Sequence, residues 1–175
     1  MDLNTARSLR IGVISDTHGH FHPAIPKAFA GVDCILHAGD LGVPEIFDKL
    51  EAIAPTMAVY GNVDGAVIRR MLAEDLETRL GGIRVWMTHI GGRPGRWSSG
   101  IRKQLAERRP DLFVCGHSHI LRIERTSSPV PFLYLNPGAA GRQGLHQVKT
   151  CVILTAEDGA LRKAEVIHLD TLESE

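Results

Sequence analysis

The chain has 175 residues, 43% of them hydrophobic and 23% charged, with 20 basic and 20 acidic side chains in formal balance. Such a mixture belongs to an ordinary globular chain with a substantial apolar interior, which excludes disordered and fibrous classes; we expect one domain over residues 1–175. Zero formal charge gives no whole-chain steering toward a nucleic-acid polymer or an anionic membrane. The three cysteines, Cys34, Cys115 and Cys151, lack CxxC spacing and sit in apolar runs, which points to buried thiols in a reducing compartment. With no secretory leader pattern and no run near the roughly 18 apolar residues of a membrane span, the expected location is cytoplasmic.

In chain order, short apolar runs at residues 11–14, 34–36, 57–60, 83–87 and 112–115 read as buried strands. Between them lie helical patterns. One opens at Pro44 and places Ile46, Phe47, Leu50 and Ile53 on one face; another carries Ile101 and Leu105 and stops before Pro110. Strand and helix in alternation predict parallel pairing with crossovers, hence an α/β layered front. Behind it, residues 132–135, 151–155 and 164–169 follow one another as strands without helical spacing between them. Asp158-Gly159 is a two-residue hairpin signal, and Gly81-Gly82 reads the same way.

Nearly every front strand runs straight into a polar signature: Ser15-Asp16-Thr17-His18-Gly19, Gly39-Asp40, Gly61-Asn62-Val63-Asp64, Thr88-His89 and Gly116-His117-Ser118-His119. In open α/β sheets ligands bind beyond the carboxyl ends of the strands, so five such loops are expected to converge on one edge. Gly12, Gly39, Gly61 and Gly116 permit close backbone approach there. The donors are oxygen from Asp and Asn and nitrogen from His, a mixture that suits manganese, iron, zinc, cobalt or nickel. Seven candidates, Asp16, His18, Asp40, Asn62, His89, His117 and His119, exceed the four that close a structural zinc shell, so two divalent ions sharing a carboxylate is the simpler reading.

The ordered set D-x-H, GD, GN-x-D, a lone His and GHSH resembles the calcineurin-like metallophosphoesterase superfamily, closest to its small bacterial and archaeal phosphodiesterases. The resemblance runs from about Ile11 to His119, and Asn136-Pro137-Gly138 is similar to a later family element. It implies a four-layer αββα sandwich of two mixed β-sheets, with the metal site at the C-terminal strand edges. It also implies that Asp16, His18, Asp40 and His119 hold one metal and Asp40, Asn62, His89 and His117 the other. Asp40 would then be the bridge, and Asp40, Asn62 and His89 the catalytic residues. The implied cofactors are two divalent ions, manganese first and nickel, iron, zinc or cobalt as alternatives. The implied reaction is hydrolysis of a small phosphodiester or nucleotide-like substrate by a hydroxide between the ions.

Alternatives from the same resemblance are a phosphomonoesterase or pyrophosphohydrolase, and a non-catalytic scaffold like the small subunit of the retromer coat. A homo-oligomer stays open. Many relatives place a leaving-group proton donor, His, where this chain has Val63; general acid help is worth about 100- to 10,000-fold, so its lack favours activated esters or a substitute donor. His20 and His22 are the candidate substitutes, weighed against simple exposure in a loop before Pro23. His37 is expected to pack beneath the Asp40 loop, and His146 and His168 to be structural. Arg93, Arg96, Trp97, Arg102 and Lys103 form a basic stretch that either clamps a phosphate and stacks a base or is a solvated face. Arg69 and Arg70 are expected on an exposed helical face, and Cys115 in the core.

Overall fold

Residues 2–145 and 147–172 are described in the computed structural model, so His146 lies outside the described residues. The first half comprises β1 (Ser8–Ile14), α1 (Ile25–Ala28), β2 (Cys34–His37), α2 (Glu45–Glu51), β3 (Thr56–Ala58), α3 (Ala66–Met71), β4 (Asp75–Leu80) and β5 (Ile83–Thr88). The second comprises β6 (Gly92–Arg93), β7 (Arg96–Trp97), α4 (Ile101–Arg108), β8 (Leu112–Val114), β9 (Arg122–Thr126), β10 (Phe132–Asn136), β11 (Thr150–Glu157), β12 (Ala160–His168) and α5 (Leu169–Leu172).

Two five-stranded sheets form, in the orders β12-β11-β1-β2-β3 and β4-β5-β8-β10-β9. Both are mixed: β1, β2 and β3 run parallel, as do β5, β8 and β10, while the remaining strands join antiparallel. β1 starts three residues before the apolar run because Ser8, Leu9 and Arg10 pair with Glu157, Ala156 and Thr155 of β11. β3 ends at Ala58, short of the expected Tyr60, and Val59 makes only an isolated bridge to Ala73. Both expected hairpins form. Asp158 and Gly159 join β11 to β12 with positive φ, and Gly81 and Gly82 join β4 to β5 likewise.

Successive strand residues point to opposite faces, which splits the apolar side chains into three packed layers. Ile11, Val13, Val152 and Leu154 from one sheet meet Val85, Met87, Val114 and Leu135 from the other in a central core. On the outer face of the first sheet, Ile14, Ile35 and Ile153 pack under Ile25 of α1, Ile46 and Leu50 of α2, Ile68 of α3 and Leu169 of α5. On the outer face of the second, Trp86, Phe113 and Tyr134 lie under Ile101 and Leu105 of α4. The result is the expected αββα sandwich. Among the described residues no helix is long and apolar enough to cross a membrane.

Candidate metal centre

Each candidate ligand sits just past a strand: Asp16 after β1, Asp40 after β2, Asn62 after β3, His89 directly after β5 and His117 after β8. These turns are sharp enough to force unusual backbone. Asp16, His18, Asp40, His117 and His119 all have positive φ, from 47° to 65°, and only two other described non-glycine residues do. Left-handed backbone is costly for residues with a Cβ, so its concentration at five of the seven candidates marks loops shaped for something other than stability. Gly61 and Gly116 make room for them. A Cβ on Gly61 would overlap the Asp40 carboxylate, and one on Gly116 would overlap the Ser15 hydroxyl beside Asp16.

The seven side chains meet across the two sheets. His18 Nε2 is 3.2 Å from His119 Nε2, and His119 Nε2 is 3.2 Å from Asp16 Oδ1. His89 Nε2 lies 3.2 Å from Asp40 Oδ2, 3.1 Å from Asn62 Oδ1 and 4.0 Å from Asp16 Oδ1. His18 Nε2 is 3.9 Å from both Asp16 Oδ1 and Asp40 Oδ2, and the His117 ring sits edge-on to His89 with centroids 5.3 Å apart. Two carboxylates therefore stand between two sets of imidazoles, and donor atoms of Asp16, His18 and His119, and of Asp16, Asp40 and His89, cluster closely enough to hold a cation.

Each carboxylate is half tied and half aimed. Asp40 Oδ1 accepts from the Val63 amide at 3.0 Å and Asp16 Oδ2 from the His117 amide at 3.1 Å, which leaves Asp40 Oδ2 and Asp16 Oδ1 turned to the imidazoles. Asp16 Oδ1 is buried with no well-directed hydrogen bond among the described residues. An unsatisfied buried acceptor costs about 1–3 kcal/mol and more when charged, a cost that a cation at that point would remove. His89 Nδ1–H donates to Ala38 O at 2.7 Å, so its Nε2 is the atom presented to the centre, the orientation a metal-binding imidazole takes.

Electrostatics agree with a site built for positive charge. Burial works against the His89 imidazolium, but the Asp40 contact and the Asp16 carboxylate outweigh it and raise its pKa. The Asp16 carboxylate likewise raises His119. Burial opposes the Asp40 anion too, yet His89 and the Val63 amide hold its pKa below the usual carboxylate value. Burial dominates at His18 and lowers it.

The family model for the calcineurin-like phosphoesterase superfamily domain matches residues 9–159. The chain belongs to the calcineurin-like phosphoesterase superfamily. A probable metallophosphoesterase of Methanothermobacter thermautotrophicus is 34% identical to this phosphoesterase over 90% of the chain and 91% of that protein. A second, from Methanocaldococcus jannaschii, is 33% identical over 75% of the chain and 68% of that protein. Among solved structures, a conserved uncharacterised Streptococcus pneumoniae protein, a predicted phosphoesterase, aligns with a TM-score of 0.72 at 20% identity, covering 95% of this chain and 92% of that one. Vps29 of Entamoeba histolytica in complex with zinc aligns with a TM-score of 0.63 at 22% identity over 92% and 99%. These last two likenesses concern the fold alone.

Three residues brace the candidate site; Asp64 and Asn136 stand in the GN-x-D and Asn136-Pro137-Gly138 motifs, whereas Arg69 carries no sequence signal of such a role. The buried Asp64 carboxylate accepts from Gly42 N–H at 2.7 Å, Gly61 N–H at 2.8 Å and Leu41 N–H at 3.2 Å, joining the Asp40 loop to the Asn62 loop. Arg69, expected merely to be exposed, donates to the carbonyls of Asp64, Gly61 and Asn62 at 2.7, 3.1 and 3.2 Å and covers the Tyr60 ring. Asn136, at the end of β10, donates to Gly116 O at 2.7 Å and Ser118 Oγ at 3.0 Å and so braces the GHSH loop.

His37 packs beneath the Asp40 loop as expected. It accepts from Gly39 N–H at 3.2 Å and donates to Thr17 Oγ1 at 3.0 Å. His22 corrects the expectation of exposure: it is buried and bonded to Asp170 at 3.2 Å, with His20 edge-on against it. That partner ties it to α5 rather than to the centre. His168 is exposed on β12. Cys115 is core, and burial pushes its thiol up to about 12.

Proposed function

We propose that the chain is a binuclear phosphodiesterase. The residues fit two divalent cations: Asp16, His18, Asp40 and His119 would hold one, and Asp40, Asn62, His89 and His117 the other. Bound there, the ions supply an activated water and neutralise charge on the phosphoryl oxygens. Manganese is the first choice for this oxygen and nitrogen set, with nickel, iron, zinc and cobalt compatible. The supporting observation is the convergence of six donors, with the His117 ring beside them, and Asp40 Oδ2 3.9 Å from His18 and 3.2 Å from His89, one from each set.

The chain's own contribution is preorganisation. Amides fix the carboxylates, Ala38 fixes His89, and burial shields Asp16, Asp40 and His89 from water, so little rearrangement of these three remains when charge develops. Two clefts flank the centre. One, about 420 Å³, reaches Asn62 and His89; the other, about 430 Å³, reaches Gly116 and His117. A diester has two substituents to house, whereas a monoester has one, and this favours diester over monoester or pyrophosphate hydrolysis. Val63 offers only its amide, already used by Asp40, so good leaving groups should react fastest.

Turnover of bis-p-nitrophenyl phosphate with manganese or nickel tests the reading, with p-nitrophenyl phosphate and pyrophosphate as comparators. Folded protein that turns over none of them with any divalent metal would leave a scaffold like the solved Vps29 chains as the better account. Faster hydrolysis of the monoester would move the proposal to the phosphomonoesterase class.

A further inference from the structure

The cleft beside His117 has walls of distinct chemistry, and they separate the two meanings of the basic stretch. β6 and β7 form a short hairpin immediately after His89, turned by Pro94-Gly95 with Gly95 at φ 81°. The hairpin is fastened to the core: Tyr134 hydroxyl donates to Gly92 O at 2.7 Å, and the Trp97 ring packs 5.9–6.1 Å from the rings of Tyr134, Phe132 and Phe113. Arg93, Arg96 and Trp97 line the cleft together with Arg122. Arg102 and Lys103 do not; they are exposed on α4, where Lys103 pairs with Glu107.

Arg93 and Arg96 are direct cross-strand partners. Like charges opposite each other destabilise a hairpin, and among the described residues neither guanidinium has an ion pair that would relieve this. The arrangement makes sense when an anion lies between them, because a guanidinium fork matches phosphate oxygens bidentately. Trp97 beside them offers an aromatic surface already held by the core, and base stacking on such a ring tolerates any base. A cleft of about 430 Å³ lies within the 300–1,000 Å³ typical of small-molecule sites.

We propose that the cleft between the β6–β7 hairpin and the His117–Arg122 segment receives a nucleotide arm of the ester, its phosphate between Arg93 and Arg96 and its base against Trp97. This deepens the phosphodiesterase reading and rests on it for turnover, but not for binding. The substrate class is then a small diester with a nucleotide on one side. That arm carries an anionic phosphate of its own besides the scissile one.

The test has two arms. In chelator, with no metal and no turnover, adenosine 5′-monophosphate is titrated by calorimetry against the protein, with adenosine and inorganic phosphate as partial ligands. The nucleotide should bind more tightly than either part. Arg93→Ala/Arg96→Ala should weaken it about tenfold or more, while Arg102→Ala/Lys103→Ala, which removes the same charge from α4, should not. With manganese, the ratio of kcat/KM for thymidine 3′-phosphate 5′-(p-nitrophenyl phosphate), which carries a second phosphate on the nucleotide arm, over methyl p-nitrophenyl phosphate should fall by about tenfold in the hairpin variant. Trp97→Leu, which keeps apolar bulk, should lower the same ratio.

No binding of the nucleotide, equal binding by the hairpin variant, or an equal loss in the α4 variant overturns the proposal. Binding without turnover of either ester by the wild type would sink the hydrolase reading and leave the pocket standing.

Discussion

Asp40 and Asp64 are both buried aspartates at the centre, yet they should fail differently when changed. Asp40 presents Oδ2 to histidines of both sets, so Asp40→Ala removes a charged donor from each proposed ion. Metal content measured after gel filtration should drop for both equivalents, and turnover should fall by more than the roughly 10- to 100-fold typical of a supporting residue. Retention of two ions by this variant would refute the shared-ligand assignment. Asp64 touches no candidate ligand atom and acts through three amides. Asp64→Asn places an NH₂ donor against amide donors. It should cost on the order of 2 kcal/mol in a urea titration of the metal-free protein and weaken metal retention about tenfold, with substrate KM little moved. A shift in KM alone would contradict a positioning role.

At the scale of elements, what could be read in advance was whatever one segment decides by itself. β1, β2, β5 and β8 are buried runs flanked by their own ligand loops, and the two-residue hairpins need positive φ at both positions, so each announces itself locally. β4 (Asp75–Leu80) and β9 (Arg122–Thr126) do not, because they are edge strands rich in charge whose order comes from pairing with β5 and β10. The β6–β7 hairpin is fixed by Tyr134 and the aromatic cluster, contacts 16 to 42 residues away in sequence. The seven candidate ligands were legible because residue type and strand-end position coincide.

The brace from α3 was not legible, since Arg69 looks like any exposed helical arginine and its three acceptors are main-chain carbonyls. Arg69→Ala should leave the urea midpoint almost unchanged but loosen the Asn62 loop, so that metal is lost from the Asn62, His89 and His117 side first. Equilibrium dialysis should show about a tenfold weaker second site, and Arg69→Lys should not restore it, because an ammonium cannot span three carbonyls as a fork does. Equal weakening of both sites would mean that α3 braces the whole edge.

For the whole molecule, the loops that gather the donors also build an acid sensitivity into the fold. His37 is fully buried and accepts from Gly39 N–H, so a proton on that nitrogen would face a donor instead of an acceptor. Burial, only partly offset by the Asp16, Asp64 and Asp40 carboxylates, pushes its pKa down to about 4. An unfolded histidine titrates near 6.5, so below that value the unfolded chain binds the proton first. The stabilisation is therefore complete above about pH 6.5 and is lost as pH falls toward about 4, amounting to about 3 kcal/mol in all. His89 and His119, with raised pKa values, act in the opposite sense in the metal-free protein: their contribution is present at low pH and fades as pH rises through their folded pKa values. Metal requires those two imidazoles neutral, so loading the site should remove their contribution and release any protons they hold. His37→Asn keeps an oxygen for Gly39 N–H and has nothing to protonate. In chelator, its urea midpoint should start lower than that of the wild type near neutral pH and decline less between about pH 6.5 and 4, so that the two profiles converge. Parallel profiles would place the acid-sensitive group elsewhere in the fold.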